Sequence, residues 1–239
     1  MNIAKYMNCI VESGELKNFN IKSISQKLNI DNLRIFHNII KKKLINQTVI
    51  DTHGKDLLDI ACGRGGDIQK WIHSKLKYVF AFDSHRESIF NSVLKGGEYD
   101  GAISRFLQIK KNFRGQLPYI KFNNLDILDT KILDKINELD KNKKYDIVSC
   151  NFALHYFNET SDVLNRVLYF VSSKLKKGGR FIGTATDGDL ILNILNNDNV
   201  NIPLLTLVSK PKTNSYLFYI DSNNTNSESI NDIRKNYFE

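Results

Sequence analysis

Only three cysteines occur among 239 residues: Cys9, Cys62 and Cys150, far apart and in no CxxC pair. That usage argues for reduced, mostly buried thiols and against a zinc site, so no metal is expected. The chain also lacks an apolar run near the ~20 residues that cross a bilayer. Its first residues, "MNIAKYMNCIVESGELKNF", lack the shape of a secretory signal. The expectation is a soluble, intracellular, cytoplasmic protein without a membrane partner. Acidic residues are in deficit, 26 Asp and Glu against 34 Lys and Arg, for a net charge of +8. Residues 1–55 hold nine Lys or Arg against four acids, which divides the chain into a basic helical arm, 1–50, and a domain, 51–239. A basic arm suits a polyanion such as RNA. A lysine- and asparagine-rich bias that merely solvates the surface gives the same count, and charge leaves the two open.

What is present is an alternation. In "NIDNLRIFHNIIKKKLI", Leu33, Phe36, Ile40 and Leu44 stand at helical spacing, with Asp31 placed to cap. Strand patterns follow at 57–61, 78–83, 119–125, 145–150 and 180–185. Helical patterns cover 66–75, 85–95, 129–140 and 160–176, the last ending at "KKGG" with glycine C-caps. Residues 96–118 read as a long connection rich in glycine and basic residues. Strand and helix in alternation predict an α/β fold, a mostly parallel sheet with helices on both faces. Ligands of such sheets lie beyond the carboxyl ends of the strands.

Each strand end carries a polar group. The first runs through Asp59 into Ala61-Cys62-Gly63-Arg64-Gly65-Gly66-Asp67, where glycines let a ligand approach backbone at a helix start. The second ends at Asp83, placed for ribose hydroxyls; the third at Asp126; the fourth at Asn151 of "SCNFALHY". A dinucleotide would want G-x-G-x-x-G, which the sequence lacks, and Asp59 and Asp67 would repel its pyrophosphate. They suit a cofactor carrying an ammonium and a sulfonium, which S-adenosylmethionine has.

The stretches "NLRIFHNIIKKKLI", "LLDIACGRGGDIQKW", "FAFDSHRESIFNSVLK", "DIVSCNFALHYFN" and "LKKGGRFIGTATDGDLI" resemble the messenger-RNA cap (guanine-N7) methyltransferases, especially those within the capping enzymes of large DNA viruses. The pairing of "CGRGGDIQKW" with "NFALHY" carries the resemblance. It implies a class I S-adenosylmethionine-dependent, Rossmann-like methyltransferase whose product is S-adenosylhomocysteine. Lys41, Ala61, Gly63, Asp67, Asp83, Asp126, Asn151 and Tyr156 match cofactor-binding positions. His37, Asn38, Arg64, Lys70, Lys95 and His155 match positions that contact the cap guanine or its phosphates. Capped RNA is the implied substrate. Fused or associated triphosphatase and guanylyltransferase domains, or a stimulatory subunit, are the implied partners, in a virion or viral factory if the source is a virus.

The chain departs from that pattern where Ala61 replaces a glycine, Asn151 a glutamine and His37 an asparagine, and where "GTATDGD" lacks a proline after its threonines. The tail "NDIRKNYFE" reads as a helix heading toward a strand past residue 239. Several residues have plainer readings: His155, Phe152 and Tyr156 as packing, Lys41–Lys43 as solvated surface, Trp71 as core, and Asp59 as a brace for the turn.

Guanine N7 is an unprotonated lone pair, so the implied reaction needs no acid or base. His155 and Tyr156 would position the base, and in-line placement would supply the acceleration. Two other functions fit the fold: a class I methyltransferase with another acceptor, and a catalytically weak RNA-binding or partner-docking module.

Overall fold

The computed structural model describes residues 30–90, 101–187, 189, 205–209 and 216–220. Helix α1 (Ile30–Thr52) leads into strand β1 (Asp56–Ile60), helix α2 (Ile68–His73), strand β2 (Tyr78–Asp83) and the short helix α3 (Arg86–Phe90). Helix α4 (Ala102–Asn112), strand β3 (Tyr119–Asn124), helix α5 (Ile132–Leu139) and strand β4 (Tyr145–Asn151) follow. A 3-10 turn (Leu154–Phe157), helix α6 (Ser161–Lys174) and strand β5 (Leu175–Thr184) complete the main body. Strands β6 (Leu205–Ser209) and β7 (Tyr216–Ile220) pair with each other, antiparallel, in a separate two-stranded sheet.

The main sheet has the order β3-β2-β1-β4-β5, with every neighbouring pair parallel. The central strands β1, β2 and β4 are buried on both sides because helices cover both faces to which their side chains alternate. Leu57, Val79, Ala81 and Ile147 pack with Ile45 and Val49 of α1, Trp71 and Ile72 of α2, and Phe106 and Ile109 of α4. Leu58, Phe80, Phe82 and Val148 turn the other way, onto Ile132 and Ile136 of α5 and Val167, Phe170 and Val171 of α6. Trp71 is core, fully buried, as its plainer reading has it.

Several boundaries differ from the sequence reading. The division at residue 50 falls inside α1, which continues to Thr52 and buries Ile45 and Val49 against the sheet. Asp31 lies within that helix, one residue past its start, rather than ahead of it. The 96–118 connection contains an amphipathic helix, α4; its polar residues hid the apolar spacing of Phe106 and Ile109. The "KKGG" glycines do not cap α6. The helix stops at Lys174, and Lys176–Gly179 belong to β5, where the register shifts between Tyr145 and Ile147 of β4. Gly178, at φ +81°, makes that irregularity possible.

Candidate functional site

The carboxyl ends of β1, β2, β3 and β4 and one face of α1 enclose a cleft of about 700 Å³. It opens where the order of a parallel sheet reverses between β1 and β4, the place such folds hold ligands. Ser88 of α3 and Tyr156 and Phe157 of the 3-10 turn complete the wall.

The turn after β1 is shaped by left-handed backbone. Ala61 has φ +59°, Gly63 +53° and Gly65 +76°. Gly65 tolerates this without strain, and a Cβ there would meet Ile68 at 2.5 Å and Ala102 at 3.2 Å. Ala61 adopts it at a cost of about 1–2 kcal/mol. Phe152, directly after β4, is likewise left-handed at φ +56°. Both of these left-handed non-glycine residues line the cleft, while His53, Lys75, Lys141 and Asn142 share such a φ away from it.

Asp83 fixes this turn. Its Oδ2 accepts from Gly63 N at 2.9 Å and its Oδ1 from His85 N at 2.8 Å. Each oxygen keeps a further lone pair that can accept from a diol in the cleft. On the β3 side the next acid, Asp126, accepts from Leu128 N at 2.9 Å and lines the same wall.

Asp67 is the hub of the opposite end. Its Oδ1 lies 2.7 Å from Lys41 Nζ and 2.8 Å from Lys70 Nζ, while Asn151 Nδ2 donates to its Oδ2 at 3.0 Å. Burial pushes the Asp67 carboxyl up, but the two ammonium groups outweigh it and hold the pKa below the usual value. Asn151 is itself set by Thr184, whose hydroxyl donates to Asn151 Oδ1 at 3.3 Å. Asp59, beside this cluster, is fully buried and accepts from the Ser149 hydroxyl across the β1–β4 pair. Burial, with the Asp67 charge adding to it, raises Asp59 to about 8. Asp59 therefore braces Ser149 rather than the turn amides.

The α1 wall presents Arg34, His37, Asn38 and Lys41, one helical stripe at i, i+3, i+4 and i+7. The His37 ring packs 4.5 Å from the Phe152 ring, and Lys41 Nζ sits 5.6 Å from that ring's centre. Burial, then Lys41, lowers His37 to about 4, so its imidazole is neutral at pH 7. Burial also lowers His155, whose Nδ1 has no hydrogen-bond partner among the described residues and whose ring lies 4.2 Å from that of Tyr156. Tyr156 is 61% exposed and lines the cleft, which removes its packing reading.

Of the site residues named from sequence, His37, Asn38, Lys41, Ala61, Gly63 and Arg64 meet Asp67, Asp83, Asp126, Asn151 and Tyr156 around this one cleft. His155 stands behind Tyr156, off the wall. Lys95 lies outside the described residues. Lys70 departs from its expected place as an open phosphate ligand. Its side chain is 7% exposed, and its Nζ donates to Asn38 Oδ1 and Gly66 O, each at 2.8 Å, besides pairing with Asp67. Arg34 and His85, which the sequence reading misses, also line the cleft, as does Phe152, whose plainer reading is packing. The helical stripe through His37 and Lys41 was the available signal for Arg34. Among the described residues no group of His, Cys, Asp and Glu could hold a metal ion, and no helix is long and apolar enough to cross a membrane.

The donor set fits S-adenosylmethionine. A lysine–aspartate pair complements the two charges of an α-amino acid, an acid at the end of β2 faces a diol, and a third acid at the end of β3 lies beyond it.

The family model for the mRNA (guanine-N(7))-methyltransferase domain matches residues 10–202. The chain is similar to mRNA cap guanine-N(7) methyltransferase 1 of Oryza sativa subsp. japonica, 32% identical over 167 residues, which is 70% of this chain and 42% of the relative. It is similar to a probable mRNA-capping enzyme of Acanthamoeba polyphaga mimivirus, 29% identical over 182 residues, 70% of this chain and 15% of the relative. The chain thus spans less than half the length of either. Among solved structures, an S-adenosylmethionine-dependent methyltransferase from Clostridium acetobutylicum aligns over 92% of this chain and 69% of its own, at 20% identity and a TM-score of 0.42.

Proposed function

The chain belongs to the mRNA (guanine-N(7))-methyltransferase family, and from that membership we propose that it methylates N7 of the guanine that caps an RNA, with S-adenosylmethionine as donor. The observation that carries the reading is the convergence of Asp67, Asp83, Asp126 and Asn151, from four strand ends, on one cleft whose far wall is the His37–Asn38–Lys41 face of α1. The strand ends suit the donor, and the helix wall with Tyr156 suits a planar base beside it.

When bound, S-adenosylmethionine supplies a methyl group made electrophilic by its sulfonium. Lys41 takes the carboxylate end, Asp67 and the turn at Ala61 and Gly63 the ammonium side, Asp83 the ribose and Asp126 the adenine side, with Asn151 and Tyr156 closing the wall. His37, Asn38 and Arg64 meet the cap, and His155 backs Tyr156. N7 has no proton to lose, so these residues orient and desolvate rather than transfer protons. Two histidines held neutral by burial are consistent with that role.

The length of the mimivirus relative favours a chain that works beside, or fused to, other capping activities. The test is transfer of labelled methyl to GpppG-RNA against 5′-triphosphate RNA. Label on capped RNA alone supports the reading. Label on both points to another acceptor, and label on neither, with cofactor and RNA still bound, to a docking module.

A further inference from the structure

Helix α4 presents an exposed face that the cleft does not use. From Gly101 to Leu125 the chain contains no acid, yet it carries Arg105, Lys110, Lys111, Arg114 and Lys121. Lys121 pairs with Asp140, and elsewhere Lys135 pairs with Asp129, Lys143 and Lys176 with Asp56 and Arg180 with Asp51, while Lys42, Lys75, Lys77 and Lys177 are, among the described residues, exposed without an ion pair and scattered rather than clustered in sequence. Lys110, Lys111 and Arg114 are exposed and have no ion pair among the described residues. Two lysines in a last turn also suit the helix dipole. That does not account for Arg114, beyond the helix, or for the apolar side chains beside it. Leu107 is 50% exposed and Phe113 38%. One edge of the Phe113 ring lies beside Gly115, where a Cβ would stand 2.6 Å from Cε1, so the glycine leaves room for the ring.

The helix starts at the cleft and leads away from it. Ala102, its first residue, is buried against Gly65 of the turn after β1. Phe106 and Ile109 anchor the inner face on Trp71 and Phe122. The outer face then runs about 15 Å to Asn112, toward the amino end of β3. Unpaired cations with an aromatic platform between them are what a single strand of nucleic acid requires: charge for the phosphates, a ring face for a base.

We propose that the surface from Leu107 to Arg114 is a track for single-stranded RNA running from the cleft. This rests on the reading that the substrate is an RNA. On this track Lys110, Lys111 and Arg114 contact phosphates without sequence preference, and Phe113 stacks on a base.

The test replaces Lys110, Lys111 and Arg114 together by Gln in the full chain, which keeps helix-forming side chains on the surface. A fluorescent uncapped 20-nucleotide RNA is titrated at several salt concentrations. The triple variant is expected to bind about ten-fold more weakly, and its slope of log K against log salt to fall by about 2, near 0.7 for each phosphate that a cation no longer neutralises. A Phe113→Ala variant should lose affinity while keeping the slope. Methylation of the dinucleotide GpppG should be unchanged in both variants, and methylation of a long capped RNA should lose kcat/KM. Unaltered affinity and slope would overturn the track, as would equal losses on GpppG and on long capped RNA. The uncapped RNA titration needs no methyl transfer, so an inactive wild-type chain would count against the proposed reaction and not against the track.

Discussion

Lys70 Nζ lies 2.8 Å from Oδ1 of Asp67, three residues earlier on the same turn, with both side chains under a tenth exposed. The same ammonium reaches Asn38 on α1, so one buried cation ties the acid of the donor end to the helix wall of the acceptor end. Replacing Lys70 by Met leaves the buried Asp67 carboxylate with Lys41 as its one ammonium partner among the described residues, beside the Asn151 amide. The expected loss is about 3 kcal/mol of unfolding free energy, the low end for breaking a buried pair, read by urea denaturation. A lysine that only met phosphates from the surface would leave stability within about 0.5 kcal/mol of wild type.

Ala61 holds a left-handed backbone at φ +59° that glycine adopts freely. Ala61→Gly should therefore stabilise the chain by about 0.5–1 kcal/mol, the relief of strain less the entropy glycine adds to the unfolded state. A lower urea midpoint in the glycine variant would show that the turn is not strained there.

Asp83 holds the turn through Gly63 and His85 and faces the cleft. Asp83→Ala removes an ionised acceptor worth about 3 kcal/mol to a hydrogen-bonding ligand, so S-adenosylhomocysteine should bind about 100-fold more weakly by calorimetry. Affinity within a factor of three of wild type would remove Asp83 from the site.

Asp59 gives a pH signature. Burial lifts it to about 8 from its ordinary 3.8, so between those values the native chain holds a proton that the unfolded chain has released. This contribution to stability is present in full below about pH 4 and is lost as pH rises toward 8. Asp59→Asn keeps an acceptor for Ser149 and removes the slope. The variant should gain on wild type in urea denaturation between pH 5.5 and pH 8, whereas a constant difference would place the Asp59 pKa near its ordinary value.

The strands and their polar groups were legible because burial on both faces leaves apolar runs, as in "YVFAFD", which stops at Asp83, and "LLDIA", which Asp59 interrupts one residue before the strand ends. The cleft was legible for the same reason: a parallel sheet delivers its strand ends to one rim. Helix α4 was not, since only Phe106 and Ile109 of its inner face are large and apolar amid basic residues, and glycines precede it. The fate of Lys70 was not legible either. Its i,i+3 spacing from Asp67 is visible in sequence, but its burial depends on α1 crossing over α2, a tertiary contact that local spacing does not encode. The start of β5 at Leu175 escaped because "KKGG" has the chemistry of a helix stop, while pairing with Tyr145 extends the strand back to the end of α6.

Methyl transfer is directed to a single atom of the acceptor in the proposed reaction. The full chain should be incubated with S-adenosylmethionine and GpppG-capped RNA, and the RNA digested to its cap and resolved against standards by liquid chromatography and mass spectrometry. The account predicts m7GpppG as the methylated cap product, absent when Asp83 is replaced by Ala. A methyl group on a ribose oxygen or on an internal base, with the cap guanine unmodified, would contradict it.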